Sequence, residues 1–269
     1  MESLETIEPL VRLGVFFGVL VMLAILEAAL PRRRRQVSRM ARWPSNLGLS
    51  AFNQVILRLL LPASAVVLAA RMQQDGSGLL AQMTLPAWID LIAAILILDL
   101  AIYLQHRLYH AVPVLWRFHR MHHADLDFDV TTGIRFHPVS LLLSGLIKLS
   151  VVLIIGPSPV AVLVFEVLLN ATTMFNHSNL RIPPGLDRLL RLVIVTPDMH
   201  RVHHSSNPDE TNRNFGFSFP WWDLLFRTYR DQPALGHEGM TIGLEEFRSE
   251  HELRLDRMLS QPFRSGVGS

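Results

Sequence analysis

The chain has 269 residues, half of them apolar, and a mean hydropathy of +0.29, which points to an integral membrane protein and away from an ordinary soluble domain. Cysteine is absent, so structural disulfides, thiolate zinc sites and cysteine-held iron–sulfur clusters are excluded, and any redox work falls to nitrogen and oxygen ligands. The formal charge is only +2, yet Arg32, Arg33, Arg34, Arg35, Arg39 and Arg42 crowd one short segment, and that placement is more informative than the total.

Glu2, Glu5 and Glu8 precede the first apolar run, the reverse of a secretory signal's basic start, so residues 10–30 read as a retained spanning helix. Arg12 and Glu27 lie near its ends, within reach of headgroups. The arginine-rich segment that follows marks the cytoplasmic face and, abutting a membrane helix, is not read as a nucleic-acid patch. A second span is predicted over residues 47–70, with Asn53, Gln54 and Arg58 turned inward. The polar connection MQQDGSG is poor in basic residues and belongs on the far side. A third span over residues 88–104 brings the chain back to the basic side, where the first histidines begin.

Residues 123–137, with Asp125, Asp127 and Asp129, read as a polar loop. Apolar runs over 139–155 and 159–175, broken by GPSP, predict a helical hairpin in which Lys148 and Glu166 meet at one depth and pair. Each arm is roughly 25 Å long at about 1.5 Å per residue, short for a span, but crossing or re-entrant it returns the chain to the same face. After Asn176 a soluble cytoplasmic tail of mixed helices and loops is expected. Within it Trp221 and Trp222 serve as an interfacial anchor or core packing, His237 and His251 lie on the surface, and residues 261–269 fray. The expected organisation is membrane helices and a basic loop over 1–87, a catalytic unit over 88–230 and a tail over 231–269. The fold class is an all-α membrane bundle with a cytoplasmic, histidine-rich di-metal cap.

Five of the twelve histidines fall between His106 and His123. His106 and His110 are four apart; His119, His122 and His123 follow at i, i+3, i+4; and His200, His203 and His204 repeat that spacing behind the helix-starting Thr196-Pro197-Asp198. One such pair is a weak signal, because polar residues occupy one helix face anyway. Three clusters on one membrane face are specific, and eight imidazoles exceed what one ion holds, so two metal ions are implied. Neutral imidazoles leave the ions' charge uncompensated, so acids are expected to orient the rings, with Asp99 the first candidate and Asp198 and Asp223 alternatives. His137 is read as a ligand or as a hinge before Pro138.

The boxes H-x-x-x-H, H-x-x-H-H and H-x-x-H-H, with Arg135-Phe136-His137-Pro138, Asn176-His177-Ser178-Asn179, Asn214-Phe215-Gly216 and Trp222-Asp223, resemble the fatty acid hydroxylase/sterol desaturase superfamily over about residues 99–229. The resemblance implies a membrane di-iron oxygenase that hydroxylates or desaturates a lipid, fatty acyl chain or sterol-like substrate with dioxygen. It implies as ligands His106, His110, His119, His122, His123, His177, His200, His203 and His204. Some members carry a further histidine where this chain has Thr173.

Attack on an unactivated C–H bond needs chemistry that no side chain supplies. The chain shows no dinucleotide loop or haem module, so a separate ferredoxin, cytochrome or reductase is expected as electron donor. The expected location is a bacterial inner membrane, crossed several times, with no nucleic-acid partner. The main rival is a zinc-dependent membrane lipid hydrolase, since histidine suits zinc equally and zinc can replace iron on isolation. A metal transporter or sensor fits less well, because transport sites lie within the bilayer at broken helices.

Overall fold

The computed structural model describes residues 2–61 and 63–264, and every regular element among them is helical, with two isolated β-bridges besides. The side chains of Glu2 and Glu5, and residues 265–269 of the expected frayed end, lie outside the described residues. In chain order the α-helices are α1 (Glu2–Ala29), α2 (Arg39–Leu60), α3 (Ala65–Gln74), α4 (Ala87–Ala111), α5 (Pro113–His123), α6 (Pro138–Ile155), α7 (Pro159–Asn176), α8 (Pro184–Leu190), α9 (Pro197–His203), α10 (Pro208–Thr211), α11 (Trp221–Leu225), α12 (Gly236–Gly239) and α13 (Leu255–Ser260). Five stretches are long and apolar enough to cross a membrane: Ile7–Ala29, Arg39–Gln74, Ala87–Ala111, Pro138–Ile155 and Pro159–Asn176. The protein is an all-α, multi-pass membrane bundle.

The second span departs from expectation. It is two helices, because a residue before proline favours extended backbone, and Leu61, with ψ at 133°, ends α2 ahead of Pro62. Ser64 then caps α3 by accepting from the Val67 N–H. Of the polar residues expected to turn inward, Asn53 does so and donates to the Phe136 carbonyl, while Arg58 is exposed and Gln54 borders a cavity. By contrast α4 runs unbroken past residue 104, so His106 and His110 stand on the last turns of a spanning helix.

The α6–α7 hairpin forms as expected. Gly156 ends α6 at φ +57° and packs so closely on Ser77 and Gly78 that no Cβ would fit, and Ser158 caps α7 with Pro159 at its first position. Lys148 and Glu166 pair across the arms. Arg12 also reaches Glu166, and it pairs with Glu8 one turn away rather than with headgroups. Glu27 is likewise withdrawn: it accepts from the Val130 and Asn179 N–H groups at 2.7 Å each and pairs with Arg39.

The arginine-rich segment is a tether as well as a charge signal. Arg32 pairs with Asp198, Arg33 donates to the carbonyls of His237 and Met240, and Arg42 is fully buried against Asp125 at 2.7 Å and Asp129 at 2.6 Å. The loop carrying these acids is therefore interior, not solvated. Burial alone would raise the Asp125 carboxyl, but the Arg42 and Arg135 guanidinia hold it down at about 2. Two further expectations change: His237 is buried beside Asp198, and at the chain end Gln261 is buried, with Arg120 donating to its carbonyl. His251 is exposed, as expected.

The apolar core sits among α3, α4, α6 and α7, where Ala69, Leu98, Val152 and Phe165 are enclosed. A smaller cluster of Leu49, Met121 and Met258 fastens α13 and α2 to α5. Replacing Arg42 with methionine keeps the volume but leaves Asp125 and Asp129 as buried charges without a counterion. The variant is expected to lose about 3–5 kcal/mol, read as a lower unfolding midpoint in detergent or nanodiscs, and an unchanged midpoint would show that the pair contributes nothing net.

Candidate metal centre

The histidines come from the last turns of α4, the end of α5, the residue closing α7 and the short α9. Pro113 opens α5 directly after α4, and Thr196 caps α9 by accepting from the Met199 N–H with Pro197 at the first position. In an H-x-x-H-H box the last two rings diverge by about 100° around the helix, so they turn to different centres. The structure shows this split. His106, His110, His119, His123 and His203 converge in one group and His122, His177, His200 and His204 in another, each offering nitrogens within 4.8 Å of one another. Box two gives its i and i+4 rings to the first group and its middle ring to the second; box three does the reverse. All nine expected ligands lie in these two groups.

Four rings have a defined tautomer. Nδ1 of His106 lies 2.7 Å from the Phe215 carbonyl, that of His122 3.1 Å from Arg135, that of His177 2.7 Å from Thr173 and that of His203 2.7 Å from Arg213. A carbonyl only accepts, so each Nδ1 carries the proton and each Nε2 presents a lone pair. These lone pairs face each other: Nε2 of His203 and His106 are 3.0 Å apart in the first group, and Nε2 of His177 and His122 are 3.1 Å apart in the second. No hydrogen bond can form between two such atoms. A metal about 2.1 Å from two nitrogens separates them by about 3.0 Å at a right angle and about 3.4 Å at the tetrahedral angle, so the spacing fits an ion in each group. His110 Nε2 and His200 Nε2 are also buried with no hydrogen-bond partner.

Burial, with the crowding of other rings behind it, holds His119, His122, His123, His200, His203 and His204 well below the usual imidazole range. His177 is lowered to about 3, again mainly by burial. The donor set is therefore neutral at physiological pH, as metal ligation requires.

The acids expected to orient the rings do not touch them. Asp99 accepts from the Trp222 indole at 2.8 Å, and Asp198 is engaged by Arg32 and Arg201. Asp223 acts one step removed. Its carboxylate, pushed up to about 6 chiefly by burial, accepts from the Phe215 and Gly216 N–H groups at 2.8 Å each and so fixes the carbonyl that orients His106. His137 caps α6 by accepting from the Val139 N–H and stays outside both groups. Of the two tryptophans, Trp222 packs inward on Asp99 and Trp221 is part-exposed. What sequence reasoning missed is a chain of contacts behind His122: Arg135 donates to the Met121 carbonyl and to Asn46, which itself holds Thr131. Alternating acids at 125, 127 and 129 between two histidine boxes were the available signal.

A cavity of ≈300 Å³ reaches the first group at His106 and His119. Ile102, Leu141, Leu169 and Phe217 form its apolar wall, Gln105, Tyr109 and Ser144 add polar groups, and Arg12, Lys148 and Glu166 border it within the spans.

Two outcomes follow from this geometry. Asp223→Ala frees the Phe215 carbonyl and is expected to weaken metal binding about 10–100-fold, measured by competition with a chelator; unchanged affinity would remove Asp223 from the support of His106. Because the folded-state imidazoles are held below their unfolded value of about 6.5, the unfolded chain takes up more protons below that pH. The metal-free protein should therefore lose only a little stability between pH 8 and 7 and far more as pH falls from 6.5 to 5. A flat stability profile over that range would contradict the neutral burial of these rings.

Residues 91–228 match the family model described as fatty acid hydroxylase. Among known proteins, the chain is 28% identical over 238 residues to ornithine lipid hydroxylase OlsE of Rhizobium tropici, covering 81% of this chain and 67% of that one. It is 29% identical to human alkylglycerol monooxygenase over 58% of this chain and 34% of that one, and 27% identical to human cholesterol 25-hydroxylase over 51% and 49%. The chain thus spans about two thirds of the first and half or less of the other two. No solved structure matches. The family match takes in about half of the chain and includes both histidine groups, and on that ground the chain belongs to the fatty acid hydroxylase family.

Proposed function

We propose that the nine histidines hold two iron ions, and that the protein is a membrane oxygenase which hydroxylates a lipid with dioxygen and electrons from a separate carrier. The observation that carries this is the pair of facing Nε2 lone pairs, His106 against His203 and His122 against His177, whose tautomers leave only a cation to separate them. The relatives' names support the reaction class: all three are hydroxylases or monooxygenases of lipids. None is a desaturase, so hydroxylation is preferred to desaturation. The expected catalytic unit over residues 88–230 and the cytoplasmic position of the cap, in a bacterial inner membrane, belong to the same proposal, the latter resting on the arginine-rich segment.

Bound iron supplies the oxidising chemistry toward an unactivated C–H bond, which protein groups lack. The chain's own residues do the rest. Backbone carbonyls of Phe215, Arg135, Thr173 and Arg213 hold ring tautomers, and burial keeps the imidazoles unprotonated. The wall of Ile102, Leu141, Leu169 and Phe217 seats an alkyl segment against His106 and His119 and excludes water there. A hydrolytic zinc site uses about three protein ligands and one open position; the five nitrogens of the first group exceed that number and favour an ion of higher coordination.

Iron-loaded protein given reductant, a lipid extract and isotopically labelled dioxygen should yield a product gaining one labelled oxygen atom. A hydrolysed ester formed equally well without dioxygen would establish the zinc alternative instead. His122→Ala and His203→Ala each remove one ligand from a different group and are expected to lose metal and turnover while inserting normally into membranes. Turnover retained by either variant would exclude that histidine from the centre.

A further inference from the structure

We propose that electrons enter through Trp116 and His110, at a basic face where a reduced, acidic one-electron carrier protein docks; this rests on the di-iron reading above. Eight of the nine histidines are buried, and His110 alone is partly exposed, with its Nε2 still turned inward. The partly exposed Trp116 ring lies 4.7 Å from His110 and 5.2 Å from His123, centroid to centroid, so one aromatic side chain joins two rings of the first group to the surface. The second group has no such outlet at Phe128, which packs on His177 and His204 and is itself buried.

Basic side chains surround this outlet on both of the elements that carry it and on the loop beside His110. Arg117 follows Trp116 and is exposed; Arg107 stands one turn before His110 on α4 and lies 5.7 Å over the Phe226 ring. Asn212 Oδ1 is 3.3 Å from His110 Nδ1, the exposed Arg213 comes next in sequence, and it donates to the carbonyl of the exposed Arg227. None of these four arginines has an ion pair among the described residues, whereas Arg32, Arg120, Arg191 and Arg201 are each neutralised by an acid. Asp209, one turn before Asn212, is the exposed acid nearest in sequence. Four unpaired guanidinia around the point where metal ligands reach the surface steer a negatively charged partner to that point. The step is balanced: the reduced carrier gives up one electron and is oxidised, one ferric ion becomes ferrous, and no proton moves. Each hydroxylation draws two such electrons, delivered one carrier at a time.

The test uses the iron-loaded full chain in nanodiscs of neutral lipid, without dioxygen, and follows oxidation of a reduced acidic [2Fe–2S] ferredoxin by stopped flow. The wild type should show a second-order rate that falls with ionic strength. Arg117→Glu combined with Arg227→Glu, both exposed and neither in contact with a histidine of the centre, should slow that rate at low salt by at least about tenfold and abolish its salt dependence. Iron content and the rate of reduction by dithionite should not change. Trp116→Leu should slow electron transfer at saturating ferredoxin while leaving ferredoxin affinity unchanged. The proposal is overturned if the charge-reversed protein accepts ferredoxin electrons at the wild-type rate, if ferredoxin fails to reduce a wild type that dithionite reduces, or if the substitutions affect only binding to anionic vesicles. A wild type that holds no iron, or takes no electrons from dithionite, contradicts the di-iron reading itself.

Discussion

The constraint that organises this molecule is a repulsion. Nine imidazoles point inward with unprotonated nitrogens, and in each group two lone pairs with defined tautomers face each other at about the van der Waals limit. Rings left to themselves would rotate apart or take up protons. The surrounding chain must therefore hold them against their own preference, and the binding free energy of a cation held there would add to the folding free energy. Backbone carbonyls fix the rings' outer nitrogens, and burial makes protonation costly. Both devices are independent of the metal.

Around this sits a scaffold that is polar where an ordinary core is apolar. Arg42 meets Asp125 and Asp129, Thr132 donates to Asp125, and Arg135 continues the network to the backbone that orients His122. Glu27 ties the end of α1 to the loops carrying Val130 and Asn179, and Asn179 exchanges two hydrogen bonds with the backbone of Arg33. Such networks contribute little net stability compared with apolar packing, but a partly satisfied alternative is expensive, so they admit few arrangements. That property matters in a cap whose ligands tolerate displacements of only a fraction of an ångström. The arginines that set the charge of one membrane face thus also place the histidines.

Legibility followed the kind of signal each feature leaves. Side chains that recur at helical spacing are visible in a sequence, so the three boxes, the α6–α7 hairpin and the Lys148–Glu166 pair could be read directly. The division of each H-x-x-H-H box between two centres was also implicit, since adjacent helical residues diverge by about 100°. Orientation of the rings was not legible, because the acceptors are main-chain carbonyls, which every residue carries alike. Asp99 shows the complementary failure: it was the first candidate for orienting a ring, but the Trp222 indole occupies its carboxylate. The membrane context misled twice: Glu27 beside a span reads as a headgroup contact, and Arg42 in a basic segment as a topology signal, until the loop that buries them is known. Pro62 signalled the break between α2 and α3, but the continuous hydropathy on either side outweighed it.

The two histidine groups are not equivalent, and under the proposed function their differences separate two kinds of traffic. The cavity meets the five-ring group at His106 and His119, inside the spanning helices, where an apolar wall suits a lipid chain. The same group reaches the surface through different rings, His110 and His123, behind Trp116 and among unpaired arginines. A lipid is recognised by burial of apolar area, a charged protein carrier by long-range attraction that salt screens. Because these proposed approaches use different rings of one group, a seated lipid would not block the arrival and departure of successive carriers. An oxygenase of the proposed kind, drawing electrons singly, would need that independence, since a substrate that had to leave between two electrons would expose a half-reduced centre to solvent.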